Sequence, residues 1–186
     1  MNTQLLKLLK SYHTADPDEN DMLAQTINFV QNNRDCFQRT LLTGHVTGSA
    51  WILNNEVTHT LLIHHRKLDK WFQPGGHCDG NHDVMRVAAK EAIEETGLAV
   101  IPVNENIFDI DIHEIPGRPG IPAHLHYDIR YVFKAPMTNE ELVLNEEVKA
   151  LRWIALGDVH RFNASRSIVR MVEKSRVSNT GAATIT

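Results

Sequence analysis

Gly75-Gly76-His77-Cys78-Asp79-Gly80-Asn81-His82-Asp83-Val84-Met85-Arg86-Val87-Ala88-Ala89-Lys90-Glu91-Ala92-Ile93-Glu94-Glu95-Thr96-Gly97-Leu98 is the stretch whose reading decides the fold. It reads as a Gly-rich loop behind Pro74 that turns into a helix with recognisable ends. Asn81 or Gly80 caps the start, and Asp83 in the first turn suits the positive end of the helix dipole. Gly97 supplies the left-handed residue that closes the helix. Met85, Ala88, Ala89, Ala92 and Thr96 form a stripe of modest side chains that lets the helix lie close to a sheet. Glu91, Glu94 and Glu95 fall three and four apart, so their carboxylates share another face. Like charges at that spacing repel by roughly a few tenths of a kcal/mol per pair. With only Lys90 beside them they stabilise the helix poorly and suit a cation well.

The stretch resembles the Nudix box, in which a Gly is followed at fixed offsets by a Glu and then by Arg-Glu-U-x-Glu-Glu-x-Gly-U, U being a bulky aliphatic residue. Gly76, Glu91, Glu94, Glu95, Gly97 and Leu98 match in register, and Gln73-Pro74-Gly75-Gly76 is also similar to the family. Three positions depart: His82 replaces the first Glu, Lys90 replaces Arg, and Ala92 is a small occupant of a U position. Lys90 keeps the charge but lacks the planar fork that grips carboxylates in pairs. By helical geometry His82 points away from Glu91 and Glu95, which makes it structural or peripheral.

The resemblance implies a Nudix α/β/α sandwich with a mixed sheet, and hydrolysis of a diphosphate linked to another moiety, with Mg2+ or Mn2+. It implies Glu91 and Glu95 as the first-choice metal ligands and Glu94 as a third ligand or the orienter of the attacking water. The Gly76 carbonyl completes the shell. Carboxylate and carbonyl oxygens are what a hard divalent cation requires. In the family an acid just before a Trp-bearing strand approaches the metal or the substrate base, and here Glu147 matches, with Glu146 as alternate. Glu91, Glu94 and Glu147 are thus the catalytic candidates; which of them takes the proton stays open. The substrate the resemblance implies is a nucleoside-diphosphate-linked or related small molecule.

Outward from the box, residues 1–44 read as a helical extension. Leu5, Leu8, Leu9 and Tyr12 have helical spacing, and Asp16-Pro17 starts a second helix bearing Leu23, Ile27 and Val30. This segment packs on the sheet and covers an edge, or else walls the substrate site or forms the arm of a homodimer. Residues 45–177 form the domain. Val46 to Leu53 and Val57 to Ile63 are β-rich runs joined by Asn54-Asn55-Glu56. His64-His65-Arg66-Lys67 follows, a solvated loop or a cluster, with Arg66 and Lys67 foremost, that meets an anionic substrate.

After the box, Ile107 to Ile115 alternates, with Phe108, Ile110 and Ile112 opposite Asp109, Asp111 and His113. His124 to Phe133 alternates likewise, with His124, His126, Asp128 and Arg130 on its polar face. These faces meet water, or line a cleft side by side. The Pro- and Gly-rich loop 116–122 between them is long enough for a flap. Val148 to Ile154 is a strand carrying Trp153, and short helices near Asp158 and over Ile168, Val169 and Val172 end the domain. Residues 178–186 read as a flexible tail.

A formal charge of −4 argues against extended nucleic-acid binding, and no apolar run reaches membrane length. Cys36 and Cys78 fit a reducing compartment, hence the cytoplasm. Eleven histidines are many for the length. Two other readings use the same fold. One is an enzyme similar to isopentenyl-diphosphate isomerase, since Gly76-His77 resembles that family's metal-binding pair and His126 and Asp128 fall where its acids stand. That family's catalytic Cys, however, precedes the His by two residues, where this chain has Gly75. The other is a non-catalytic ligand-binding module, although such modules usually lose box acids. On these grounds His77, His126 and Asp128 are expected to converge near the Gly loop as a second, nitrogen-bearing site for a different ion or for phosphate.

Overall fold

Strand β1 (Gly44–Leu53) begins where the polar N-terminal segment gives way to β-rich sequence, and every residue of it is buried. The computed structural model describes residues 2–137 and 148–181, so Glu140, Glu141, Glu146 and Glu147 lie outside the described residues. The remaining strands are β2 (His59–His65), β3 (Lys70–Phe72), β4 (Gly75–His77), β5 (Ile101–Pro102), β6 (Asp109–Ile115), β7 (His124–Lys134) and β8 (Val148–Ala155). The helices are α1 (Thr3–Ser11), α2 (Pro17–Asn32), α3 (Val84–Thr96) and α4 (Arg166–Gly181), with a 3₁₀ turn at Val159–Arg161. The eight-stranded sheet is ordered β3-β2-β1-β7-β5, with β4 on β1, β6 on β7 and β8 on β2. The α/β class and the N-terminal helices are those the sequence implies. No helix among the described residues is long and apolar enough to cross a membrane.

The chain falls into two compact units, and the box helix, β1 and β7 each run from one into the other. The first unit comprises Met1–Ser49, Gly75–Lys90 and Asn104–Tyr131. In it β4 pairs antiparallel with β1 (Thr47 opposite His77, Ser49 opposite Gly75), and β6 pairs with β7 from Asp109–Arg130 to Ile115–His124. Residues 75–77, read as loop, are therefore strand. The glycines permit it: a Cβ on Gly75 would stand 2.2 Å from the Ser49 Oγ, and one on Gly48 would stand 2.7 Å from the Val84 carbonyl oxygen.

Asp16 caps α2 as its position before Pro17 predicts, its side chain accepting from the Glu19 amide. Leu5 and Leu9 of α1 and Leu23, Phe29 and Val30 of α2 are buried. Phe29 stacks on Tyr127 of β7 with ring centroids 3.9 Å apart. Glu19, which carries no core signature in the sequence, is fully buried. Its carboxylate accepts from Tyr12 Oη (2.6 Å), Thr14 Oγ1 (2.5 Å) and the Ile110 amide of β6 (3.0 Å). Cys36 and Cys78 are both buried thiols, and burial pushes the Cys36 thiol up to about 11.

The second unit comprises Ala50–Pro74, Glu91–Val103 and Val132–Thr186. Here β2 pairs with β1, β3 and β8, and β5 with β7, all antiparallel. The turn after β1 is longer than expected, and β2 starts at His59 because Val57 takes φ 55°. Asn54 makes that turn: its Oδ1 accepts from the Thr58 and His59 amides at 2.8 and 2.9 Å. Trp51 is fully buried and donates through Nε1 to Ser175 Oγ of α4 at 2.9 Å. That helix continues past Ser178 to Gly181, into the stretch read as tail.

Candidate active site

The box helix is started by Asp83 rather than by Asn81. Asp83 Oδ1 accepts from the Arg86 amide at 3.0 Å, while Asn81 Oδ1 accepts from the Asp83 amide at 3.0 Å, one step earlier in the turn. Gly80 (φ 84°) makes the turn before it, and Gly97 (φ 71°) closes the helix as expected, its amide bonding the Ile93 carbonyl. The buried stripe is Val84, Val87, Ala88, Ala92 and Thr96, so Met85 and Ala89 sit at its margin. Of the three acids, Glu94 is exposed, Glu91 is half-buried, and Glu95 lies against the stripe with 6% of its surface exposed. The helix thus carries oxygen donors over little more than one turn, a donor set that fits a hard divalent cation. Lys90 is exposed, and His82 is exposed and packs its ring 4.6 Å from that of Phe37.

The polar faces of β6 and β7 are covered at Asp109, Asp128 and Arg130, partly open at His113, and not all directed at one cleft. Arg130 holds three aspartates: Nε donates to Asp128 at 2.7 Å, Nη1 to Asp109 at 3.1 Å and Nη2 to Asp111 at 3.0 Å. Asp128 also accepts from Thr47 Oγ1 (2.9 Å) and Ser49 Oγ (2.8 Å) of β1. Burial drives the Asp111 and Asp128 carboxyls up, but the Arg130 charge, His113 and the hydrogen bonds they accept together outweigh it, and both end below the usual carboxylate range.

Beside this network lies a cluster of imidazoles. Alternation along β1 puts His45 on the face of Thr47 and Ser49, and alternation along β7 puts His126 on the face of Asp128. Since Asp128 is bonded to Thr47 and Ser49, His126 falls beside His45. His77, opposite Thr47 across the β4 pairing, completes the group. Ring centroids are 5.0 Å apart for His45–His77, 4.8 Å for His45–His126 and 5.0 Å for His77–His126. The predicted meeting of His77 and His126 is present. Asp128 is not part of it, because Arg130, Thr47 and Ser49 engage its carboxylate, and His45 stands in its stead. Sequence reading passed over His45, although polar residues at every second place of an otherwise apolar strand were a visible signal.

Arg66 and Lys67 occupy the exposed β2–β3 turn. Arg66 Nη2 donates to the Val148 carbonyl of β8 at 3.3 Å, and His64 Nε2 lies 3.0 Å from Asp69. Part of that cluster therefore has a local structural task.

The NUDIX domain sequence profile matches residues 44–174. Solved structures of similar fold include an Ap4A hydrolase of C. elegans in a binary complex, 15% identical, covering 73% of this chain and 98% of that one with a TM-score of 0.58. A NUDIX-family hydrolase from Clostridium perfringens is 25% identical, with 72% and 97% covered and a TM-score of 0.53. A UDP-X diphosphatase, 15% identical, matches over 95% of this chain and 92% of that one, with a TM-score of 0.52. Among curated proteins none matches the sequence. With most of its length matched by the domain profile and its box helix in place, this chain belongs to the Nudix family.

Proposed function

We propose that the protein is a pyrophosphohydrolase that depends on Mg2+ or Mn2+ and cleaves a diphosphate linkage in a nucleoside-diphosphate-linked or related small molecule. The observation that carries this is the retention of Glu91, Glu94 and Glu95 at a spacing of three and four on one helix of a Nudix chain. Two of the similar structures are named for such reactions, an Ap4A hydrolase and a UDP-X diphosphatase. Glu91 and Glu95 hold the cation, with the Gly76 carbonyl, and Glu94 is a third ligand or orients the attacking water. A bound divalent cation neutralises diphosphate charge and lowers the pKa of a water it holds. Glu147 is the further acid on the substrate side, and Arg66 and Lys67 meet substrate phosphate. With two buried thiols, the protein is suited to a reducing cytoplasm.

The test is the conversion of each member of a panel of nucleoside diphosphate derivatives into two phosphorylated products with Mg2+ or Mn2+, read by ion-exchange chromatography. Rearrangement of an allylic diphosphate with its diphosphate intact would instead indicate an isomerase, and binding without turnover a sensor. Glu95→Gln is nearly isosteric, so it should abolish metal-dependent turnover and leave the circular dichroism spectrum unchanged. A Gln variant with wild-type turnover would refute the ligand assignment.

A further inference from the structure

The hydrolase reading leaves the three clustered histidines without a task. One donor nitrogen from each of His45, His77 and His126 lies within 4.8 Å of the others. They come from β1, β4 and β7, so neighbouring strands rather than one loop fix their positions. The Nε2 atoms of His45 and His126 are buried and have no hydrogen-bond partner among the described residues. A buried polar atom left unsatisfied is destabilising. Two such groups within one cluster of three imidazoles form an arrangement that hydrogen bonding does not explain.

The remaining contacts orient the rings. His45 Nδ1 faces the Leu41 carbonyl at 3.5 Å, which favours the tautomer that leaves Nε2 as an electron-pair donor. His113 and His124 flank the group, each with its ring 5.4 Å from that of His126. Their Nδ1 atoms are held by Asp111 at 3.1 Å and by the Pro122 carbonyl at 2.9 Å. Burial keeps His45, His77 and His126 below the ordinary histidine range, His77 at about 4 and His126 at about 3, so all three are neutral near pH 7.

We propose that His45, His77 and His126 bind one zinc-like divalent ion through three imidazole nitrogens, leaving a fourth coordination position open. Imidazole suits late first-row metals, whereas Mg2+ demands oxygen, so the two donor sets of this chain select different ions. With metal–nitrogen bonds of about 2.0–2.1 Å, tetrahedral geometry places nitrogens about 3.4 Å apart. The widest pair then has to close by about 1.4 Å, within the reach of side-chain rotation. Three protein ligands and one open position is the pattern of zinc sites that take water or an anion as a fourth ligand.

The test uses the full chain, stripped with EDTA and titrated with ZnCl2 by calorimetry, with metal content read by mass spectrometry. The expected result is one zinc per chain, not displaced by millimolar Mg2+. His77→Asn and His126→Asn should each weaken zinc binding by at least about tenfold. His77 is half-exposed, so its variant serves if that of His126 fails to fold. Glu95→Gln should retain wild-type zinc affinity whatever it does to turnover, which separates this site from the proposed catalytic one. Absence of stoichiometric zinc, or a folded His77→Asn that binds it as wild type does, overturns the assignment.

Discussion

Arg130 shows how far strand periodicity reaches. Alternation placed Asp109, Asp111, Asp128 and Arg130 on polar faces, and β6–β7 pairing put those faces together, as the sequence allowed. What the period could not reveal is that the shared face is covered: Arg130 keeps 3% exposure and Asp128 2%. Alternation identifies which residues share a side, not what lies over them. Arg130→Met should destabilise the fold by about 3–5 kcal/mol in urea denaturation, because it removes the guanidinium shared by two buried carboxylates and the half-buried Asp111. Arg130→Lys should recover little, since an ammonium cannot address three carboxylates from one planar fork. A loss below about 1 kcal/mol for Arg130→Met would mean the network is not a structural determinant. The same residues set an acid limit. Asp111 and Asp128 have folded pKa values below 3.8, so their contribution is fully present above that value and is lost as pH falls through the lower folded values. Carboxyl carbon NMR should find both more than half ionised at pH 3.8, where an unperturbed Asp is half protonated. Half-protonation there would contradict the pairing.

Among elements, helices were the most legible. Asp16-Pro17 and Gly97 marked ends that the structure keeps, because caps act through local hydrogen bonds and a single φ. β4 was not legible, for the opposite reason. A Gly-Gly pair signals freedom from side-chain clashes, and only the partner strand decides whether that freedom serves a turn or a close approach. Here it serves approach, and Gly48 does the same for the box helix. Gly48→Ala should cost about 1–3 kcal/mol in thermal or urea unfolding, since its Cβ meets a helix carbonyl and a backbone nitrogen that cannot swing aside. Gly157→Ala is the control: a Cβ there meets nothing within 4 Å, and the expected change is within about 0.5 kcal/mol. Equal losses in the two variants would show that close approach is not what Gly48 provides.

At the scale of the whole molecule, the box motif led from sequence to family, whereas the imidazole cluster required three strands that lie far apart in the chain. The domain profile starts at Gly44, yet the first compact unit starts with the N-terminal helices. Those helices occupy the side of β6 that does not face β7. Glu19 takes the Ile110 amide, Met22 Sδ receives the Ile112 amide at 3.2 Å, and Tyr12 Oη reaches the Phe108 carbonyl at 3.1 Å. A protein shortened to begin at Gly44 would offer these backbone groups as a naked edge, the template on which another chain adds as a strand. Light scattering should find concentration-dependent self-association in the shortened protein at concentrations where the full chain gives constant scattering per unit mass. A shortened protein that stays monomeric would show that the edge needs no shield. On this view the residues that precede the family match act as a built-in guard against aggregation, and they govern how concentrated the protein can become before its copies adhere.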